Sequence, residues 1–148
     1  MSEFREIRVK DITGYFFLGR PVMHLNLEDG REFEMAGVEP YVLLALNKLY
    51  GQDEYEELFR DRRASLFDLL MSIDDFKKVL KDHVESVTIS DLNKEYGTYI
   101  AYIRLRFNDV IIEKPMIPSH AIYLAILAEK PVYVNEKLLN ENQNNQNT

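Results

Sequence analysis

The side chains best suited to chemistry in this sequence are three histidines, His24, His83 and His120. Imidazole gives and takes protons near neutrality and is the commonest metal ligand. No two of them lie at the i, i+4 spacing of a helical metal pair, and their separation favours individual structural or surface roles. The chain has no Cys, which removes disulfides, thiolate zinc sites and a Cys nucleophile together. Asp74-Asp75 and Glu54 with Glu57 have the composition of ion ligands, but solvated helix faces and a dipole-favoured first turn account for them. Arg60, Arg62 and Arg63 form a local cationic cluster. Because Asp53, Glu54, Glu56, Glu57 and Asp61 flank it, surface ion pairs fit better than a phosphate clamp. There is no glycine-rich phosphate loop and no Gly-x-Ser-x-Gly elbow, so P-loop hydrolysis and esterase chemistry have no support. Two polar junctions remain: Ser90-Asp91 at a strand end and Ser119-His120 at a helix start. Loops place functional groups at such junctions, and free backbone N–H groups at a helix start favour anions.

Alternating and helical patterns predict the elements that position these residues. Residues 4–12 alternate as a half-buried strand, with Ile7 and Val9 on one face and Glu6, Arg8 and Lys10 on the other. A second alternating run carries Met23, Leu25 and Leu27. The three-residue loop Glu28-Asp29-Gly30, with Gly30 left-handed, sets Leu25 against Phe33 and Met23 against Met35. Pro40 opens an apolar helix over residues 41–50, whose only clearly polar members are Asn47 and Lys48, and Gly51 ends it. Residues 52–63 are a charge-dense connection. Leu66, Leu69, Leu70, Ile73, Phe76 and Leu80 fall at helical spacing, and the capping signals Ser65-x-x-Asp68 and Ser72-x-x-Asp75 predict two short helices with a kink. Strands follow over residues 85–92, 98–107 and 110–114. The two-residue turn Asn108-Asp109 pairs Phe107 with Val110, Leu105 with Ile112 and Arg104 with Glu113. A second apolar helix covers residues 118–127, and residues 131–134 form a short closing strand.

A turn, a short strand and a proline-started apolar helix occur twice, at Gly30 to Pro40 and at Asn108 to Pro118, a weak internal duplication. The pattern is that of an α+β domain with a mixed or largely antiparallel sheet and packed apolar helices. The chain has 148 residues, 46% of them hydrophobic, which suits one domain over residues 1–139. The last nine residues, with five Asn and two Gln, predict a disordered polar tail over 140–148. The longest apolar run, residues 121–128, falls short of the roughly 20 residues of a membrane span. The N-terminus has no signal-peptide apolar core, so the expected location is cytoplasmic. With 18 Lys and Arg against 25 Asp and Glu, the formal charge is −7, which disfavours a broad electrostatic footprint on nucleic acid.

At the two junctions the sequence resembles the bifunctional nuclease (BFN) domain family. The resemblance is carried by Val87-Thr88-Ile89-Ser90-Asp91-Leu92, Gly97-Thr98-Tyr99-Ile100-Ala101, Ile117-Pro118-Ser119-His120-Ala121-Ile122 and Pro131-Val132-Tyr133-Val134, in the family's order and at compatible spacing. Looser matches extend it to roughly residues 5 to 135. The resemblance implies a compact α+β fold, self-association, and cleavage of DNA and RNA. Three positions depart from the family pattern: Ile117 stands for an arginine, His120 for an aspartate, and Phe67 for a histidine. A cation, an acid and an imidazole are thereby missing, which sets the family's activity in doubt for this member.

If the implied cleavage uses an acidic metal site, Asp68 and Asp91 are the matching carboxylates that would hold Mg²⁺ or Mn²⁺, with Ser119 and His120 beside them and His120 as proton donor. A reading of a different class is a non-catalytic homo-oligomeric interaction module, with a dimer as the first expectation. It rests on the apolar helix surfaces and on Tyr15-Phe16-Phe17-Leu18. The two readings part on whether Asp68, Asp91, Ser119 and His120 converge.

Overall fold

The structure, a computed structural model, describes residues 5–50 and 63–140. The Gly51 helix stop, the charge-dense connection up to residue 62 and the tail from residue 141 lie outside the described residues. The chain runs β1 (Glu6–Phe17), β2 (Arg20–Leu27), β3 (Glu32–Ala36), α1 (Pro40–Leu49), α2 (Leu66–Met71), α3 (Asp74–His83), β4 (Val84–Asn93), β5 (Thr98–Phe107), β6 (Val110–Met116), α4 (Pro118–Ala128) and β7 (Val132–Asn135). Residues 136–140 are helical. One 7-stranded sheet, ordered β3-β2-β1-β7-β4-β5-β6, joins the strands. Its neighbours are antiparallel except for β4 with β7, as expected of a mixed α+β sheet. Among the described residues no helix is long and apolar enough to cross a membrane.

Both hairpins have the register their turn chemistry demands. Gly30 is left-handed at φ 92°, Leu27 N–H donates to the Arg31 carbonyl, and Leu25 meets Phe33 while Met23 meets Met35. The second hairpin closes through left-handed Asn108 and pairs Phe107 with Val110, Leu105 with Ile112 and Arg104 with Glu113. Each hairpin feeds a helix with proline in its first turn, so the sequence duplication corresponds to two hairpin–helix units. Their strands β3 and β6 form the two edges of the sheet.

β1 is longer than the alternation at its start predicts. It passes through Gly14, a residue that normally weakens a strand interior, because α1 presses on it there. A Cβ at Gly14 would lie 2.0 Å from Leu43 Cδ1 and 2.7 Å from its Cγ. Leu43 is itself buried, so it has nowhere to retreat. A bulge between Val9 and Asp11 shifts the register of β1 against β2, just past Glu6, Ile7 and Arg8, which pair with β7.

The paired helices after residue 65 form as predicted, with one difference at the kink. Ser65 caps α2 in a reciprocal box with Asp68. Ser72 does not cap α3; its hydroxyl donates to the Leu69 carbonyl at 2.7 Å and closes α2. Ile73 takes the α3 N-cap position without a side-chain bond. A serine hydroxyl one residue past a helix finds an orphan carbonyl nearer than the next helix's N–H groups.

α1 packs on β1 and β2, α4 packs on β4 and β5, and the helices contact one another in the pairs α1–α2, α2–α3, α3–α4 and α1–α4. Ala121, Ile122, Tyr123, Ala125, Leu127 and Ala128 of α4 are all buried. The sheet and neighbouring helices therefore cover the apolar helix surface within a single chain. At the far end, Arg31 bonds Asp29 at 2.7 Å and Glu136 at 2.9 Å, tying the first hairpin to the end of β7. The guanidinium holds both carboxyls below the usual carboxylate range.

Gly14→Ala is expected to destabilise the protein by about 1–3 kcal/mol, the usual range for overpacking a filled core. Urea unfolding checks this: the midpoint should fall with the slope unchanged. An unaltered midpoint would mean that α1 does not approach β1 this closely.

Candidate functional site

The four predicted site residues each have partners of their own. His120 lies against Phe67, the residue before Asp68. α2 docks on α4 through Phe67, whose ring centroid lies 5.4 Å from that of His120 and 5.2 Å from that of Tyr123, the latter edge-on. The Tyr123 hydroxyl donates to the Phe67 carbonyl. A buried phenol needs such a partner, and a backbone carbonyl has a second lone pair with which to accept it. The following residue, Asp68, completes the capping box: its Oδ2 accepts from Ser65 N–H at 2.9 Å and its own N–H donates to Ser65 Oγ at 3.2 Å.

Lys48, from the last turn of α1, reaches the same carboxylate, with Nζ 3.4 Å from both Asp68 oxygens. Sequence analysis did not single out Lys48. The signal available was that Asn47 and Lys48 interrupt an otherwise apolar helix. Asn47 itself is buried, and its Nδ2 has no hydrogen-bond partner among the described residues. Leaving such a donor unmet costs roughly 1–3 kcal/mol. Asp68 thus ties α2 to the end of α1 through Lys48, and the preceding Phe67 ties α2 to α4 through His120 and Tyr123. Burial first, and the Asp68 charge second, push the Tyr123 hydroxyl up to about 12.

Ser119 is buried next to His120 in sequence but faces other partners. Its Oγ accepts from the Glu39 N–H at 3.3 Å and so joins the starts of α1 and α4. It also lines a cavity of about 820 Å³ between β3, the start of β5 and the end of β6.

Asp91 lies on the opposite face of the sheet from the buried side of β4. Ile89 pairs with Ala101 and Asp91 with Ile100, so Ser90 is an extra residue in the strand. This bulge reverses the alternation, and Asp91 joins the face of Thr88 and Tyr102 instead of the buried face of Val87 and Ile89. Its Oδ1 accepts from Lys137 Nζ at 2.6 Å, and Ser90 Oγ donates to Oδ2 at 3.3 Å. Asp68 and Asp91 share no partner. Among the described residues no three His, Asp or Glu side chains group as metal ligands. The donor set at Asp68, one carboxylate already held by an ammonium and a backbone N–H, does not fit a hard divalent cation seeking several free oxygens.

The other histidines have separate surroundings. His24 lies among Asn26, Glu32 and Glu34 on the first hairpin. His83 stacks on Phe107 at 4.5 Å and donates from Nδ1 to the Arg106 carbonyl at 3.0 Å. Arg104 and Arg106 both bind Glu85, so the strand face that carries them is largely neutralised.

The strand end at Asp91, the helix start at Ser119-His120 and the closing β7 all fall within a match to a known family. The family model of the bifunctional nuclease domain matches residues 55–147. The chain belongs to the bifunctional nuclease domain family. The match begins after α1, so Lys48 lies outside it and Asp68, Asp91, Ser119 and His120 lie inside it. No curated protein matches the chain.

The raised Tyr123 value predicts a pH effect. A hydroxyl whose folded value exceeds the ordinary 10.0 stabilises the fold fully below pH 10 and loses that contribution as pH rises through about 12. Denaturant unfolding at stepped alkaline pH should show this loss in the native protein and a smaller one in Tyr123→Phe. Equal losses in both proteins would show that Tyr123 is not the group responsible.

Proposed function

We propose that this chain is a cytoplasmic nuclease that cuts the phosphodiester backbone of DNA or RNA where α1, α2 and α4 meet. The observation that supports the reading is the docking of Phe67 against His120 and Tyr123, next in sequence to Asp68, whose carboxylate holds the Lys48 ammonium. Cleavage of a phosphodiester needs charge stabilisation at the phosphate and a proton for the leaving oxygen. Lys48 supplies the positive charge. A water molecule attacks the phosphorus as the ester P–O bond breaks; His120, partly exposed in the first turn of α4, gives its proton to the leaving oxygen and is reprotonated by the proton that the water sheds. Asp68 acts as a positioning residue: it holds Lys48 and locks α2 through its cap. His120 stands where the family pattern has aspartate, so the acid–base work passes from a carboxyl to an imidazole. Asp91, tied to Lys137 on the other face of the sheet, takes no part in the cleavage. Ser119 braces α4 against α1.

The test is cleavage of labelled single-stranded DNA and RNA with Mg²⁺ or Mn²⁺ present. His120→Gln is expected to slow cutting by about 10²–10⁴-fold, the usual worth of a positioned acid or base. Lys48→Met should slow it too, while Asp91→Asn should leave it unchanged. Cutting that survives in His120→Gln, or a native protein that does not cut, would contradict the reading.

A second reading, self-association through apolar surface, is favoured by a separate observation. Phe107, Val110, Ile111 and Ile112 are exposed together at one edge of the sheet.

A further inference from the structure

Resting on that self-association reading, we propose that two copies of this chain join through β6, edge to edge and antiparallel, into one continuous sheet. β6 is the last strand in the order, and its first six residues are exposed. The other edge strand, β3, buries alternate residues Phe33 and Met35. Val110, Ile111 and Ile112 are 58%, 38% and 44% exposed. The apolar run Val110-Ile111-Ile112 on a sheet edge invites another strand, and the charge and proline with which proteins usually blunt such edges come only after it, at Glu113, Lys114 and Pro115.

The backbone of β6 is set up for pairing. In a two-residue hairpin the residues flanking the turn exchange both backbone bonds, and alternate pairs do so along the ladder. With Phe107 opposite Val110, residues Val110, Ile112 and Lys114 bond to β5, and the N–H groups of Ile111 and Glu113 point outward. Pro115 falls at the next outward position, where its missing N–H leaves the ladder intact.

The side chains select a second copy as the occupant. In an antiparallel pair with its two-fold at Ile112, Ile112 meets itself, Val110 lies opposite the partner subunit's Lys114, and Ile111 lies opposite the partner subunit's Glu113. A two-fold at Ile111 would set Asp109 against the partner subunit's Glu113, and one at Glu113 would set that residue against itself. Like charges directly opposite are unfavourable, so the sequence fixes one register. A two-fold perpendicular to the sheet also keeps the helices of both copies on the same side.

On that side the apolar strip continues from the strand onto α3. Val110 pairs with Phe107, whose ring stacks on His83, and one helical turn back on α3 stands Val79, 54% exposed. The α3 flanks of the two copies would close over the joined strands, covering surface that neither copy covers alone.

Sedimentation of the full chain over a concentration series, combined with residue-resolved amide exchange, tests the interface. The native protein should dimerise, and the exchange of the Ile111 and Glu113 amides should slow as dimer forms. Ile112→Lys should weaken dimerisation at least tenfold, while Leu18→Lys, at an exposed apolar site on the β1–β2 turn, should leave it intact. A monomeric native protein would overturn both the self-association reading and this interface. A dimer in which Ile111 and Glu113 exchange freely, or one that survives Ile112→Lys, would overturn the β6 interface alone. Amide exchange is read on the native protein, so the result holds even where a variant folds poorly.

Discussion

A buried phenol must bond to something, and in this fold the Tyr123 hydroxyl finds the Phe67 carbonyl. That single bond crosses from α4 to α2 and fixes where α2 begins. Once Phe67 lies against α4, Asp68 is carried to the end of α1, and the Lys48 ammonium meets its carboxylate. The rings of Phe67, His120 and Tyr123 pack together between α2 and α4. The capping box at Ser65 serves the same end from within α2, because a six-residue helix has too few internal bonds to hold its own start.

The sheet separates what the sequence places close together. One additional residue at Ser90 turns Asp91 to the opposite face of β4 from the one its neighbour Ile89 buries. One step along α4, Ser119 turns inward to Glu39 while His120 faces Phe67. The four predicted site residues therefore serve four different contacts. The family match covers the chain from α2 to β7, with all four predicted site residues, but begins after α1. Lys48, which bonds Asp68, thus comes from the part of the chain outside the match.

Most of the fold was legible because local rules decide it. Gly30 and Asn108 set both hairpin registers through turn chemistry, and Pro40 and Pro118 open both apolar helices. Less was legible where a distant contact overrides a local signal. Gly14 looks like a strand breaker, yet it lies within β1 because Leu43 occupies the space of its absent side chain. Ser72 looks like a cap for α3, yet its hydroxyl turns back to α2. The apolar faces of α1 and α4 suggested a partner subunit; the sheet and neighbouring helices cover most of them, while Phe17 and Leu18 at the β1–β2 turn and Val110, Ile111 and Ile112 on β6 stay exposed. The candidate site was the least legible part. The bulge at Ser90 has no sequence signature, and Lys48 is 20 residues from Asp68 along the chain.

If Asp68 and His120 act together in cleavage, a kinetic double-mutant cycle measures their coupling directly. Residues that act together lose their shared contribution once, whereas independent residues lose theirs separately. Single-turnover cleavage of a labelled single strand would be compared in the native protein, Asp68→Asn, His120→Gln and the double variant. The account predicts that the double variant is scarcely slower than His120→Gln alone. Losses that multiply would contradict it, placing the two side chains in separate roles.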